Sequence, residues 1–292
     1  MCLVGVSHTG FAAEESGLYV GVVGGVGRTG GQSVEQLGVA HKLGNFNGGF
    51  PDFDLKVDVD GTVEHGKAGL FGLQTGFGWK TSSALKPAVE IEGLYHVGSQ
   101  HSELENPDTE VLANIVERPG QSYTTKYLRT YIDEHYGPDE HRFANSMDTR
   151  TSLGMINGVL SYDRGSRVKP YVGVGVGLAV IQMKNGVSYQ TSPLNGSSAF
   201  EIDPVSGADV NHYNSQPDAS DVALAMQVKT GVRGNLTSRV SAFVEYRLIH
   251  VDESTFTFGS TSYAGHSPTD HWSLTSGASN LHHAVVGLAL RF

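Results

Sequence analysis

The sequence predicts an all-β chain: eight antiparallel strands wound up and down into one closed barrel that crosses a membrane. Three observations carry that expectation. Eight segments alternate bulky apolar residues with small or polar ones at every second position, the period of a strand with two unlike faces. The connections between them run long, short, long, short, long, short, long, as in barrels with short turns at one end and long loops at the other. The final segment sets Phe292, Leu290, Leu288, Val286 and Ala284 on one face, opposes them with Arg291, Ala289, Gly287, Val285 and His283, and stops on the aromatic residue.

Composition agrees. Glycine occurs 38 times in 292 residues, about twice its usual share of roughly 7%, with no period-three repeat that would mean collagen. The net charge of -10, without a basic stretch, argues against a nucleic-acid partner. Mean hydropathy is -0.19, and no apolar run reaches the roughly 18 residues of a membrane helix. Neither fact counts against a barrel, in which only alternate residues face lipid. Cys2 is the single cysteine, which excludes an internal disulfide framework and a four-cysteine zinc site.

Residues 1–13 have two readings: the remnant of an export signal, with a small-x-small site after Ala12 or Ala13, or a disordered tail. The remainder, 14–292, reads as one domain. Its first strand covers Gly17 to Val26, with Leu18, Val20, Val22 and Val26 on the apolar face. The Gly-x-Gly spacing there lies inside the alternation and opens no helix, so it is not a dinucleotide loop. From Gly30 to Lys67 the chain is polar and Gly-rich, with a short strand at 53–59. Strand two, 70–79, carries Phe71, Leu73, Phe77 and Trp79 on one face. Strand three, 87–96, opposes Val89, Ile91 and Tyr95 with Glu90, Glu92 and His96.

The polar stretch from Ser99 to Asp148 holds the only helix-like patterns, at 109–116 and 127–132. Strand four, 152–162, is the least clear, because Leu153 and Val159 blur the contrast between its faces. Strand five, 170–180, is the clearest, with valines and Leu178 against glycines. Another polar stretch, 185–220, leads to strands six (224–233) and seven (240–248), whose alternation continues through Thr255 to Phe258. A last polar stretch, 259–280, returns the chain to strand eight. A proline opens strands three and five, at Lys86-Pro87 and Lys169-Pro170, where its missing N–H is tolerated.

The block Val168-Lys169-Pro170-Tyr171-Val172-Gly173-Val174-Gly175-Val176-Gly177, preceded by Val159-Leu160-Ser161-Tyr162-Asp163, resembles a hairpin of the opacity-protein and OmpA-like outer-membrane β-barrel superfamily. The last strand resembles the closing strand of such barrels, with Gly287, Leu290 and Phe292 at the positions of their insertion signal; Val286 departs from the usual polar residue. The resemblance covers all eight strands and none of the four long loops. It implies a bacterial outer-membrane location, periplasmic termini and turns, and extracellular loops. It also implies lipid and lipopolysaccharide as surroundings and the barrel-assembly machinery as a partner of the last strand. Activity is not implied, since the fold hosts adhesins, inert surface proteins, small channels and a few enzymes.

A soluble sandwich or lipocalin-like barrel is the alternative fold, but the second face here is mostly Gly and Ala, too small for a solvent surface and suited to a narrow lumen. That face gathers Glu90, Glu92, Lys229, Arg233, Glu245, Arg247 and Arg291. Buried charges must pair or meet water, so they form either a network that plugs the lumen or the lining of a conducting path. Five histidines, His250, His266, His271, His282 and His283, fall near the outer end of the last two strands, yet solvated polar residues explain them better than metal ligands, and neither metal nor cofactor is expected. A rim enzyme would need Ser152, His96 or His283 joined to an acid, and no Gly-x-Ser-x-Gly occurs. The expected function is therefore a non-enzymatic surface protein whose loops meet an extracellular protein or host ligand, with a small channel as the second reading and a rim enzyme as the third.

Overall fold

The structure is a computed structural model, and it describes residues 16–42, 52–63, 66–105, 115–116, 126–127, 130, 142–192, 209–263 and 266–292. Thirteen strands are present among them: β1 (Gly17–Thr29), β2 (Gln32–Lys42), β3 (Phe53–Val63), β4 (Lys67–Gly78), β5 (Leu85–Glu105), β6 (Ile115–Val116), β7 (Arg142–Tyr162), β8 (Val168–Ser192), β9 (Ala219–Asn235), β10 (Val240–Val251), β11 (Ser254–Thr257), β12 (Ser273–Ser276) and β13 (Ser279–Arg291). Eight of them close the barrel in the order β1-β4-β5-β7-β8-β9-β10-β13, every pair antiparallel, and β13 returns to β1 with Val22 opposite Leu288. Closure removes the sheet edge, so no ladder group of the wall is left facing lipid.

The parity of each strand puts its apolar face outward. Val172, Val174, Val176 and Leu178 of β8 are all more than half exposed, as are Val222, Leu224, Met226 and Val228 of β9. A water-soluble protein does not leave such a continuous apolar surface open. Aromatic residues border the belt, where Phe71 of β4 meets Tyr95 of β5 at 5.5 Å and Phe77 meets Trp79, just past the end of β4, at 5.3 Å. Phe71 and Trp79 are separated by about 20 Å along the barrel axis, from roughly 3.3 Å per residue and a tilt near 40°. The uncertain faces of the fourth predicted strand resolve here: Leu153 and Val159 point inward and are buried, while Ile156 is 60% exposed.

The start of β1 and Phe292 lie at one end of the barrel, where the Phe292 N–H donates to the Leu18 carbonyl at 3.0 Å. Three tight turns share that end. In one, Gly165 takes a φ of 78°, a conformation that favours glycine, and its N–H donates to Asp163 Oδ1 at 2.8 Å. In another, Thr237 Oγ1 accepts the N–H groups of Arg239 and Val240, at 3.2 and 2.9 Å.

At the opposite end the described parts of the four long connections add strands above the belt. Strands β5, β7 and β8 continue far above the belt, β2 and β3 form a hairpin, and β11 and β12 prolong β10 and β13 across a break at Asp252–Glu253 and Gly277–Ala278. The hairpin joins β12 on one side and the top of β5 on the other. Between β8 and the segment after β11, residues 211–217 bridge the gap, through Gly186 N–H to Pro217 at 2.8 Å and Gly259 N–H to Gln216 at 2.9 Å. The described residues of the polar stretches thus form a second storey of wall, a crown. Neither helix-like pattern is seen as a helix in full: Ile115 and Val116 pair with β3 as β6, Lys126, Tyr127 and Thr130 are helical, and the other residues of both patterns lie outside the described residues, as do residues 1–13.

The crown has its own core. Trp272 sits 5.8 Å from the Phe143 ring and 5.6 Å from His212, and Tyr213 stacks on Phe258 at 4.1 Å. Gln36 Oε1 accepts from Tyr213 Oη and Asn145 Nδ2, each at 2.6 Å, and Trp272 Nε1 donates to Thr261 Oγ1 at 3.1 Å. Gln36, Asn145, Tyr213 and Trp272 come from the four different polar stretches. Burial pushes the Tyr213 hydroxyl far above its ordinary pKa, so it serves here as a fixed donor.

Candidate functional site in the barrel lumen

Glu90 and Glu92 of β5 stand two residues apart on the inward face, as do Lys229 and Gln227 of β9 and Glu245 and Arg247 of β10. The lumen of an eight-stranded barrel is just wide enough for such side chains to meet. Lys229 Nζ bonds Glu90 and, at 2.7 Å, Glu92. Arg247 lays Nη1 and Nη2 on the two oxygens of Glu92, each at 3.0 Å, and its Nε donates to Glu245. Tyr171 donates to Glu245 at 2.6 Å, Tyr19 donates to Glu90, and Gln227 donates to Glu92 at 2.7 Å and to Asn157.

Nearer the termini, Arg233 approaches Glu90 at 3.5 Å, with its guanidinium 5.3 Å from the ring centres of Tyr19 and Tyr171 and 5.5 Å from Phe243. Three carboxylates thus face three cations and their charges cancel. Glu90, Glu92, Lys229, Glu245 and Arg247 are none of them more than 4% exposed. Arg291 lies lower, half-exposed beside the chain terminus. Small residues make room for the large ones. A side chain at Gly76 would strike the Tyr19 ring, and one at Gly287 would strike Phe243. Leu290 and Phe292 point outward, Phe292 being 73% exposed.

Tyr19, Tyr171, Gln227 and Asn157 were not singled out from the sequence, although each shares the inward parity of its strand. The signal was there: a hydroxyl or amide at the same height as the lumen carboxylates.

Above the network, the His96 and His283 rings meet edge to face at 5.3 Å. Both are buried, and neither ring has a hydrogen-bond partner among the described residues; Thr149 Oγ1 and Ser254 Oγ are alike in this. His96, Thr149 and Ser254 line a cavity of about 40 Å³, together with Phe256 and Met183. Ser152 faces outward, away from His96, so the Ser–His–acid arrangement that a rim enzyme needs is not assembled at these histidines.

The other outer histidines are dispersed. His250 Nδ1 bonds Asn280 at 2.9 Å, His282 Nδ1 bonds the Tyr246 hydroxyl at 2.5 Å, His266 packs against His212 and Tyr263, and His271 is exposed. Among the described residues no three His, Cys, Asp or Glu side chains converge as metal ligands would. On the crown wall, His41 joins two segments: Nδ1 meets Asp54 at 2.7 Å and Nε2 meets Asp270 at 3.1 Å. Both contacts favour the imidazolium, Asp54 the more strongly, and they raise the His41 pKa above its ordinary value.

A closed antiparallel wall of eight strands, apolar outside and ion-paired inside, is a transmembrane β-barrel of the outer-membrane kind. At the level of fold, this meets the resemblance to the opacity-protein and OmpA-like barrels. No family model matches the sequence, and no curated protein aligns with it. Among solved structures, Neisserial surface protein A is 13% identical, with 96% of this chain and 100% of that one covered and a TM-score of 0.36. The outer-membrane protein OprG from Pseudomonas aeruginosa is 10% identical, with 95% and 97% covered and a TM-score of 0.40. The outer-membrane protease OmpT from Escherichia coli is 8% identical, with 93% and 97% covered and a TM-score of 0.31.

Proposed function

We propose that this chain is a bacterial outer-membrane surface protein whose barrel is a sealed scaffold and whose crown is the part that meets other molecules. The end with the start of β1, Phe292 and the tight turns is periplasmic, the crown is extracellular, and the barrel-assembly machinery engages β13. One observation carries the sealed reading: five of the six lumen charges pair with one another while almost fully buried, and Arg233, 12% exposed, adds to them against Glu90 at 3.5 Å. The work then falls to the crown, a surface suited to adhesion, antigenic display or binding of an extracellular partner.

Conductance tests this. Refolded protein in a planar bilayer gives no steps, and a Glu245→Gln, Arg247→Gln variant, shown to be folded, does. Steady steps from the unaltered protein would favour the second reading, a small channel. The observation on that side is the cavity at His96, whose unpaired polar atoms resemble a stage on a solute path.

A further inference from the structure

His96 of β5 and His283 of β13 are two buried imidazoles that the charge network leaves unused. They are 3% and 1% exposed, and their rings stand 5.3 Å apart, edge to face. Neither ring has a hydrogen-bond partner among the described residues, although buried ring nitrogens normally have one. Arg247, across the ladder from His283, is already spent on Glu92 and Glu245. The place for the rings is built: a side chain at Gly27, opposite His283 on β1, would strike the His283 ring.

Sequence alone argues against the five outer histidines as metal ligands, and His96 is not one of them. The closed wall brings it to His283, with β1 and β4 between their strands. Two imidazoles on one tetrahedral ion, each nitrogen about 2.0–2.1 Å from the metal, have ring centres roughly 5 Å apart. The terminal torsion of histidine is broad, so either ring can turn a nitrogen towards the other without leaving its place. With no carboxylate paired to either ring among the described residues, the imidazoles are neutral, which is the ligating form.

The cavity beside His96 supplies what two imidazoles lack. Its volume of about 40 Å³ has room for about two or three waters. Thr149 Oγ1 and Ser254 Oγ line it and, among the described residues, are unpaired as well. Among the described residues no Lys or Arg lines it, whereas Asp252 does, with its side chain 48% exposed. That carboxylate links the cavity to solvent and favours a cation over an anion. Zinc, copper and nickel take imidazole, whereas magnesium and calcium take oxygen ligands.

We propose that His96 and His283 together bind one late transition-metal ion, of the zinc and copper kind, with oxygen ligands in the cavity completing its shell. This goes beyond the scaffold reading and holds whichever way the crown faces.

The test uses the full chain without a histidine tag, refolded in detergent micelles and titrated with Zn²⁺ against a chromophoric chelator in excess Mg²⁺. The expected result is one tightly held ion per chain. His96→Gln and His283→Gln are each expected to weaken it about 100-fold or more, beyond the roughly 10–100-fold that loss of a supporting residue costs. The pair His101→Gln, His271→Gln, at exposed positions, should leave it unchanged. Heat-modifiable migration shows that each variant is folded. Should a variant not fold, Co²⁺ in the unaltered protein decides: two buried imidazoles on the ion give paramagnetically shifted ring N–H signals that exchange slowly with water. Shifted signals from fast-exchanging rings alone overturn the proposal. So does tight binding that survives His96→Gln and His283→Gln, because the metal is then an adventitious ion only, on surface histidines. An unaltered protein that holds no Zn²⁺ overturns it as well.

Discussion

Arg247 of β10 clamps Glu92 of β5 across the lumen, one guanidinium nitrogen on each carboxylate oxygen at 3.0 Å. This is the two-point geometry that a planar guanidinium provides and an ammonium cannot. Both residues are fully buried, and Lys229 and Glu245 complete the set around them. The pair ties opposite sides of the wall, so it acts on the barrel as a whole.

Removing one partner strands the other. Arg247→Met is expected to lower the unfolding free energy by about 3–5 kcal/mol, the cost of an uncompensated buried charge. The paired change Glu92→Leu, Arg247→Met should cost clearly less than the two single changes added together, since it leaves Lys229 with Glu90 and no lone carboxylate at position 92. Urea titration of protein in lipid vesicles measures all three. Strict additivity would mean that the clamp holds nothing.

His41 predicts a pH effect confined to the crown. Its contacts with Asp54 and Asp270 raise its pKa in the folded protein above the ordinary 6.5. The latch therefore contributes fully below the unfolded-state value, and the contribution is lost as pH rises through the higher folded value. The ring is about a third exposed, so the size is that of a surface ion pair, about 0.2–1 kcal/mol and weaker in salt. An NMR titration of the imidazole should give a midpoint above 6.5, and His41→Asn should remove the matching slope from crown stability. A midpoint below 6.5 would show that the latch does not form.

The wall was legible in the sequence, and the crown was not. In strands such as β8, lipid and lumen demand opposite things of alternate residues, so Val174 and Gly175 differ as sharply as two residues can. In the crown, both faces are mixed. Along β2 the buried positions are Gln32, Val34, Gln36, Gly38 and Ala40, while Leu37 and Val39 lie on the other face, half-buried. No apolar period marks such a strand, because its inner face is satisfied by hydrogen bonds among Gln36, Asn145 and Tyr213. The lumen shows the same division. Glu90 and Arg247 announce themselves by charge and parity, whereas Tyr19 and Tyr171 read as ordinary strand aromatics until the carboxylates opposite them are placed.

The two tryptophans separate wall from crown in one measurement. Trp79 is 45% exposed at the belt border near the termini, and Trp272 is 1% exposed in the crown core. In vesicles of brominated lipid, a Trp272→Phe variant should lose much of its fluorescence to quenching, since only Trp79 remains. A Trp79→Phe variant should be almost unquenched and emit at shorter wavelength. Equal quenching of both would place Trp272 in contact with acyl chains and remove the crown from the fold. Trp272→Ala should further cost about 3–5 kcal/mol of crown stability, as large-to-small core changes do.

Phe292 separates folding from assembly. Its backbone N–H closes the ladder to Leu18 at 3.0 Å, but its side chain projects outward and is 73% exposed. Phe292→Ala keeps the hydrogen bond and removes only an outward ring, so stability in vesicles should move by no more than about 0.5 kcal/mol. In cells, the amount of heat-modifiable protein in the outer membrane should fall several-fold if the ring is read by the assembly machinery. Equal losses in vesicles and in cells would make Phe292 a structural residue of β13 and nothing more. A normal yield in cells would take the insertion role away from the terminal aromatic and leave it to Gly287 and Leu290.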